Sequence, residues 1–244
     1  MSGSATTLTS LIRAQTDAIA RQFVRDPACC FVGISSPSFM GQRILAYGGR
    51  TESLNDNQID RCFVYIDQHG HPELWVRAVL KGGPGGTGYE TDWRAFARKY
   101  YSVDYAAFDT SDFNIDHLYP ETTAYREHMS HVRAMPVPKD SNQAVGRTLE
   151  KLMANQKFNA KRVVHKATVV TFAKIAGFAE SINLPDQRGQ PVDPGVVLRL
   201  VLLLQRRGFI EAGELARQLT VHLTRWSITR LQGGDVDQLG VFAP

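Results

Sequence analysis

The stretch from Asn114 to Lys157 constrains the fold most strongly, because its patterning changes from strand-like to helix-like over a short distance. Asn114 to Leu118 and Val132 to Val137 are short, partly apolar elements typical of strands. Ser141 is a preferred N-cap residue and predicts a helix over Gln143 to Lys157, with Asn142 at its first position. The predicted order is therefore strand, loop, strand, helix.

The patterns on either side predict a mixed fold. Before this stretch, apolar spacing near 3.6 residues or alternation near 2 predicts two helices and four strands, the last two forming a hairpin. The predicted helices are Thr7 to Arg25 and Trp93 to Tyr101, and the strands are Cys30 to Gly33, Arg43 to Tyr47, Cys62 to Asp67 and Leu74 to Leu80. After it, the pattern predicts helices over Thr168 to Ser181, Pro194 to Arg207 and Ile210 to Trp226.

These elements predict an α+β protein of two parts. The loop from Asn183 to Asp193 holds three prolines and a glycine, which makes it the best candidate boundary. We expect one domain over residues 1–182, containing an N-terminal helix, a small antiparallel sheet and the central motif at 114–157. A C-terminal helical subdomain is expected over residues 183–244.

Composition excludes several classes of protein. A hydrophobic fraction of 43% is enough for a sizeable core and argues against disorder. Three cysteines without a CxxC pair cannot supply a four-sulfur zinc site. The longest apolar run, Val196 to Leu204, is too short for a membrane span, and the N-terminus lacks the features of a secretion signal. We expect no membrane association and a location that is cytoplasmic, or outside the cell after export without a classical signal peptide.

The chemistry of the central stretch begins with the dipeptide Asp116-His117. Hydrolysis of a phosphodiester requires a water made nucleophilic near neutral pH, and an uncharged histidine can accept its proton. The negative charge that develops on the leaving oxygen and the phosphate is stabilised by a hard divalent cation. Oxygen ligands such as Asp116 and Asn142 suit Mg²⁺, which commonly keeps several waters and takes one or two protein ligands.

An Asp-His dipeptide on one strand, followed about 25 residues later by an asparagine that opens a helix, resembles the ββα-metal superfamily of nucleases. This superfamily includes the HNH endonucleases and the DNA/RNA non-specific nucleases. Asn142-Gln143 and Leu149-Glu150 are most similar to the second branch, whereas Asp116 follows the usage of the first. The resemblance covers the motif region alone.

The resemblance implies a role for each residue of the motif. His117 would be the general base, and a single Mg²⁺ or Mn²⁺ would be bound by Asn142 and Asp116, with Glu150 holding a metal-bound water. The helical spacing from Asn142 returns Arg147 near the metal-facing side, where a guanidinium can stabilise charge in the transition state.

Basic residues around the motif predict a polyanionic partner. The whole chain carries a formal charge of only +4, but residues 139–166 hold seven lysines and arginines against two acidic residues. A solvated helix face is the structural alternative. The candidate nucleic-acid contacts are Arg133, Lys139, Lys151, Lys161 and Arg162. We expect His128 and His131, in the loop between the two strands, to be exposed to solvent.

The expected function is a divalent-metal-dependent endonuclease acting on DNA, with RNA as an alternative substrate. Such motifs occur in bacterial toxins and in phage or defence nucleases, and a toxin would need an immunity protein as partner. Two alternatives stay open: a binding module for nucleic acid or protein that keeps the ββα shape without turnover, and a hydrolase that uses His117 and Asp116 without a metal.

Overall fold

A computed structural model describes residues 7–54, 61–79, 89–103, 112–139, 142, 163–176, 194–206, 213–219 and 221. These residues form an α+β fold, as the sequence predicted, in which helices pack on an antiparallel sheet. Its strands are β1 Phe31–Ile34, β2 Arg50–Ser53, β3 Cys62–Ile66, β4 Pro72–Arg77, β5 Phe113–His117, β6 His131–Pro138 and β7 Val164–Lys166. Its helices are α1 Leu8–Arg25, α2 Met40–Tyr47, α3 Tyr89–Tyr101, α4 Glu121–Arg126, α5 Val169–Ala176 and α6 Pro194–Arg206.

In the described part of the chain, the seven strands form one sheet in the order β2-β3-β4-β6-β1-β7, with β5 paired to β6 outside this path. Every one of these pairs is antiparallel. Strand β6 is central, because its first half pairs with β4 and β1 and its second half pairs with β5. Two short 3₁₀ turns, Pro27–Cys29 and Pro37–Phe39, flank β1, and residues 213–219 are helical.

The N-terminal helix α1 forms where its apolar spacing predicts it. The Thr7 side chain caps the helix by accepting a hydrogen bond from the Ser10 N–H at 3.1 Å. Its apolar face buries Leu11, Ile19 and Phe23, and the helix stops at Asp26, immediately before a proline. An N-cap residue followed by apolar residues at helical spacing is therefore sufficient to predict helix α1.

The predicted hairpin is confirmed as β3 and β4, whereas the predicted strand over Arg43 to Tyr47 is wrong. These residues belong to helix α2. A short apolar run is ambiguous between strand and helix, because so few residues do not establish a period. Gly48 follows with φ of 73° and ends the helix, since glycine enters the left-handed region without a steric cost.

The sheet separates two hydrophobic clusters. The smaller cluster lies under α2 and consists of Phe31, Ile34, Met40, Phe63, Tyr65 and Trp75. The larger cluster lies on the other side and includes residues of α1, α3, α5 and α6. Leu200, Leu204, Leu215 and Leu219 belong to this larger cluster, so the described C-terminal helices share a core with the sheet. The proposed boundary at residues 183–193 lies outside the described residues, and the division into two domains stays a prediction.

Strands β5 and β6 confirm the two strands predicted for the motif. Their register pairs Asp116 with Met135 and His117 with Ala134. The Leu118 N–H donates to the Arg133 carbonyl at 2.9 Å, so the alternation of an antiparallel ladder turns the N–H and C=O of His117 away from β6. The same alternation places Pro136, opposite Ile115, at a position whose missing N–H would also point away from the partner strand.

No helix within the described ranges is both long enough and apolar enough to cross a lipid bilayer.

Candidate active site

His117 lies at the C-terminal end of β5 and is 3% exposed. Among the described residues, no group hydrogen-bonds its Nε2 atom, although that atom is buried. The Tyr89 ring, at the start of α3, packs on the imidazole with 4.8 Å between ring centroids. Several other buried polar atoms of the described residues share this feature, and it is the position of His117 beside Asp116 in the predicted motif that makes it the candidate functional group.

Asp116 and Lys174 bracket the backbone of His117. The Asp116 Oδ1 atom accepts a hydrogen bond from the His117 N–H at 2.8 Å, and Oδ2 lies 2.6 Å from the Lys174 Nζ atom. The Lys174 Nζ atom also donates to the His117 carbonyl at 2.6 Å. Both oxygens of the Asp116 carboxylate therefore have partners within this group of three residues.

Lys174 was not predicted as a site residue. It lies on α5, 57 residues from His117 in sequence, and its side chain is 2% exposed. A signal for it does exist, because it is the one charged residue of the mostly apolar helix segment VVTFAKIA. A lysine in such a segment is buried only when its ammonium finds partners, and these include Asp116 and the carbonyl of His117.

The electrostatics keep His117 uncharged at neutral pH. Burial lowers the pKa of His117 to about 4, against the raising effect of Asp116 and with a further lowering by the Lys174 ammonium. The pKa of the Tyr89 hydroxyl is raised, first by burial and then by the negative charges of Asp116 and Glu121. The side chains of His117 and Tyr89 are therefore both neutral between pH 6 and 8.

Asn142 is half-buried and helical, but Lys139 is helical as well, so helical residues begin before the predicted start at Asn142. Antiparallel pairing puts the end of β6 beside Phe113, which lies about 14 Å along β5 from His117 at 3.4 Å per residue. Among the described residues no hydrogen bond joins Asn142 to Asp116 or His117. The predicted helix over Gln143 to Lys157 lies outside the described residues, together with Arg147, Glu150, Lys151, Lys161 and Arg162.

Two of the basic residues that were predicted to contact nucleic acid, Lys139 and Arg133, differ in their exposure to solvent. Lys139 is exposed at the end of β6, as a contact to nucleic acid requires. Arg133 is instead 3% exposed, and its guanidinium donates to the Gln22 side-chain oxygen at 2.9 Å. This position differs from the expectation for Arg133, because a guanidinium committed to buried partners is not presented to a polyanion.

Arg133 belongs to a buried group that we call the Glu73 network, consisting of Glu73, Arg43, Arg133 and Gln22. Arg43 donates to both oxygens of Glu73, at 2.7 and 2.8 Å, and Arg133 lies 3.5 Å from Oε1 of the same carboxylate. Gln22 donates to Glu73 and accepts from Arg133, which closes the network. Burial raises the pKa of Glu73, but Arg133 and Arg43 outweigh that effect and hold the pKa below its ordinary value.

The two histidines that were predicted to be exposed, His128 and His131, also differ in their exposure to solvent. His128 is exposed, as expected, and has a φ of 57°. His131 is 3% exposed, because it begins β6 and its ring packs on Phe63 with 5.2 Å between centroids. The expectation of exposure was therefore wrong for His131. Its Nδ1 atom lies 2.9 Å from the Ser130 hydroxyl oxygen.

A cavity of about 480 Å³ opens beside the Glu73 network. It is lined by the second half of α1, by Arg43 and Tyr47 of α2 and by the turn between β3 and β4. None of the residues predicted for the site lines this cavity. The cavity and the buried nitrogen of His117 are therefore separate features of the molecule.

The oxygen donors differ in how well they fit a magnesium ion. The Asn142 amide oxygen is a hard donor of the kind that Mg²⁺ prefers. Asp116 fits poorly, because an ammonium 2.6 Å from Oδ2 opposes the approach of a second cation. Within the described ranges, no group of three or more His, Cys, Asp or Glu residues is arranged to hold a metal ion.

Comparison with known proteins finds no match: no family model, no curated protein and no solved structure is similar to this chain.

Proposed function

We propose that this chain is a divalent-metal-dependent endonuclease in which His117 is the general base. The observation that carries the proposal is the buried, uncharged His117, whose Nε2 has no partner among the described residues and which lies at the end of β5 on an antiparallel strand pair. The strand pair precedes a helical Asn142, which is the order of elements in the nucleases that the motif resembles.

In the proposed reaction, Nε2 of His117 accepts the proton of the attacking water. The imidazole is neutral at pH 7, so its lone pair is free to accept a proton. Its low pKa makes it a weak base in the free protein, but the negative charge of a bound phosphodiester favours the protonated ring and raises that pKa. Substrate binding also has to open a path to Nε2, because this atom is buried in the free protein.

The metal role is assigned to Asn142, with Glu150 of the predicted helix holding a metal-bound water. A bound Mg²⁺ would supply a Lewis acid for the charge that develops on the phosphate and the leaving oxygen. Arg147 is proposed to stabilise the charge that develops in the transition state. Lys151, Lys161 and Arg162 are proposed to contact the phosphate backbone together with the exposed Lys139. Arg133 is excluded from this set, because its guanidinium belongs to the Glu73 network.

Plasmid cleavage tests the proposal directly. Purified protein would be incubated with supercoiled plasmid and Mg²⁺ or Mn²⁺, with and without EDTA, and with single-stranded RNA as a second substrate. We expect nicking by the wild type with either metal, no nicking in EDTA and a loss of at least about 100-fold in His117→Ala, the range that general base catalysis contributes.

His131→Ala is the matched control, because His131 is buried to the same extent as His117 but packs against Phe63. We expect this variant to retain cleavage once its folding has been checked by circular dichroism. Cleavage that survives His117→Ala would overturn the assignment of the base, and cleavage in EDTA would overturn the metal requirement.

The alternative of a binding module without turnover predicts a different outcome. In that case no metal supports cleavage, while fluorescence anisotropy still detects binding to a labelled oligonucleotide. If the chain is a nuclease, His117→Ala binds the same oligonucleotide with an affinity close to that of the wild type, because the base acts in the chemical step. A toxin role would in addition predict an immunity protein that blocks cleavage.

A further inference from the structure

We infer that Asp116 and Lys174 are positioning residues that hold the backbone of His117, and that Asp116 acts in this way instead of binding the metal. We call these two side chains, together with the N–H and C=O of His117, the Asp116 clamp. The inference rests on the proposed function for its catalytic consequence, but its geometric basis is independent of it.

The inference is based on the side of β5 that faces away from β6. Within the described residues, β5 pairs with β6 alone, and the ladder alternation turns the N–H and C=O of His117 to the side where no strand lies. Backbone groups buried without a partner are costly. The Asp116 carboxylate accepts from the N–H at 2.8 Å, and the Lys174 ammonium donates to the C=O at 2.6 Å.

The two side chains hold each other as well as the backbone. Lys174 is 2% and Asp116 20% exposed, and their charged atoms lie 2.6 Å apart. The clamp therefore closes a ring that runs from the carboxylate through the peptide units of His117 to the ammonium and back. Two charge-assisted hydrogen bonds and one ion pair together fix the peptide units on both sides of the Cα atom of His117. The direction of its imidazole follows from that backbone.

The same contacts argue against Asp116 as a metal ligand. One of its oxygens already accepts a hydrogen bond from the His117 N–H, and the other forms an ion pair with the Lys174 ammonium. A divalent ion bound there would lie beside that fixed positive charge. A positioning role and a metal-binding role of Asp116 thus predict different effects of Asp116 variants on the Mg²⁺ concentration that cleavage requires.

The test begins with Lys174→Met, which removes the ammonium and keeps a side chain of similar length. We expect kcat for cleavage to fall about 100-fold while KM for DNA stays within about threefold, because a misplaced base affects the chemical step and not substrate binding. Ile175→Val is the matched control on the same helix, since Ile175 is 1% exposed, is adjacent to Lys174 in sequence and carries no charge. It should lower stability with no change in kcat.

Asp116→Asn separates a positioning role from a metal role. If the clamp acts as one unit, Asp116→Asn and the double variant with Lys174→Met each lose about as much kcat as Lys174→Met alone, since coupled residues are not additive. The Mg²⁺ concentration for half-maximal activity stays within about threefold in all three variants. An increase of tenfold or more in Asp116→Asn alone would show metal binding by Asp116 and overturn the inference.

Hydrogen exchange of the His117 amide gives a readout that does not need activity. We expect its exchange to be at least about tenfold faster in Lys174→Met than in Ile175→Val, compared at equal global stability. Equal exchange in the two variants would show that Lys174 does not hold this backbone. A wild type that cleaves no substrate but shows the predicted exchange would overturn the proposed function and leave the clamp standing as a structural device.

Discussion

The Glu73 network and the Asp116 clamp are both buried ion pairs, but they use their polar atoms in different ways. In the Glu73 network, two arginines and Gln22 surround one carboxylate in the interior of the sheet, and the side chains of Arg43 and Glu73 are 3% and 0% exposed. In the Asp116 clamp, the ion pair lies at the end of β5 and holds the backbone of a histidine whose Nε2 has no partner in the described part of the chain.

Burial of charge does not identify a functional site by itself. The carboxylate of Glu73 is saturated by side chains that come from α1, α2 and β6, so nothing there remains to react. At the clamp, the charges are also satisfied, but they leave one neutral nitrogen ready to accept a proton. The feature that indicates a functional site is a buried nitrogen that lacks a hydrogen bond, located next to an ion pair whose two charges are both satisfied.

The largest effect is expected for Glu73→Gln. This substitution leaves Arg43 and Arg133 buried without a negative charge, and breaking a buried pair in this way costs about 3 to 5 kcal/mol of unfolding free energy. Urea denaturation followed by circular dichroism measures the loss. A loss below about 1 kcal/mol would show that the network does not stabilise the sheet.

Glu90→Gln is the matched control for this prediction. Its ion pair with Arg94 lies on the surface of α3, with side-chain exposures of 55% and 53%. Exposed pairs of this spacing contribute little, so we expect a change within about 0.5 kcal/mol. The difference between the two glutamates separates the effect of burial from the effect of the lost charge.

The next largest effect is a pH dependence from His117. Burial lowers the pKa of this histidine in the folded state to about 4, below the ordinary 6.5. The unfolded chain therefore binds more protons between these values, and stability falls as the pH decreases from 6.5 to 4. The two pKa values correspond to about 3 kcal/mol, present in full above pH 6.5.

His117→Asn is the variant that isolates this contribution. Urea denaturation at several pH values, with EDTA present, gives the stability of wild type and variant. We expect the difference between the two proteins to change by about 3 kcal/mol over this pH range. A constant difference would show that His117 titrates normally and reaches solvent in the folded protein.

The smallest effect is expected for Asp116→Asn at neutral pH. The single oxygen of asparagine can accept from the His117 N–H or from Lys174, so one charge-assisted hydrogen bond is lost. Because the Asp116 side chain is 20% exposed, water replaces part of that bond, and we expect a loss of about 1 to 2 kcal/mol. A loss as large as that of Glu73→Gln would remove the distinction between the two ion pairs.

Much of the fold could be predicted from the sequence, because local patterns determine it. The helix α1, the β3–β4 hairpin and the strands β5 and β6 all follow from period and turn residues. Helix α2 could not be separated from a strand, since a run of five residues has no clear period. The short strands β2 and β7 were missed for the same reason.

Less of the candidate site could be predicted, because its contacts come from distant parts of the chain. The Asp116-His117 dipeptide is visible in the sequence, but its partner Lys174 comes from α5. Arg133 looked like a phosphate contact from its charge. Its position opposite Trp75 on β6 turns it towards Glu73 instead, and only the register of the sheet reveals that direction. Tertiary pairing thus decides which charged residues are available to a substrate.

Pro136 leaves the edge of strand β6 that faces away from β5 without a backbone donor at this position. The residue is buried, and its backbone nitrogen faces away from β5, where none of the described strands pairs with the second half of β6. An ordinary residue there would bury a donor that has no ladder to join, whereas proline carries none. Strand β6 can therefore continue past its pairing with β4 to hold β5 and the candidate site without leaving a buried donor unpaired.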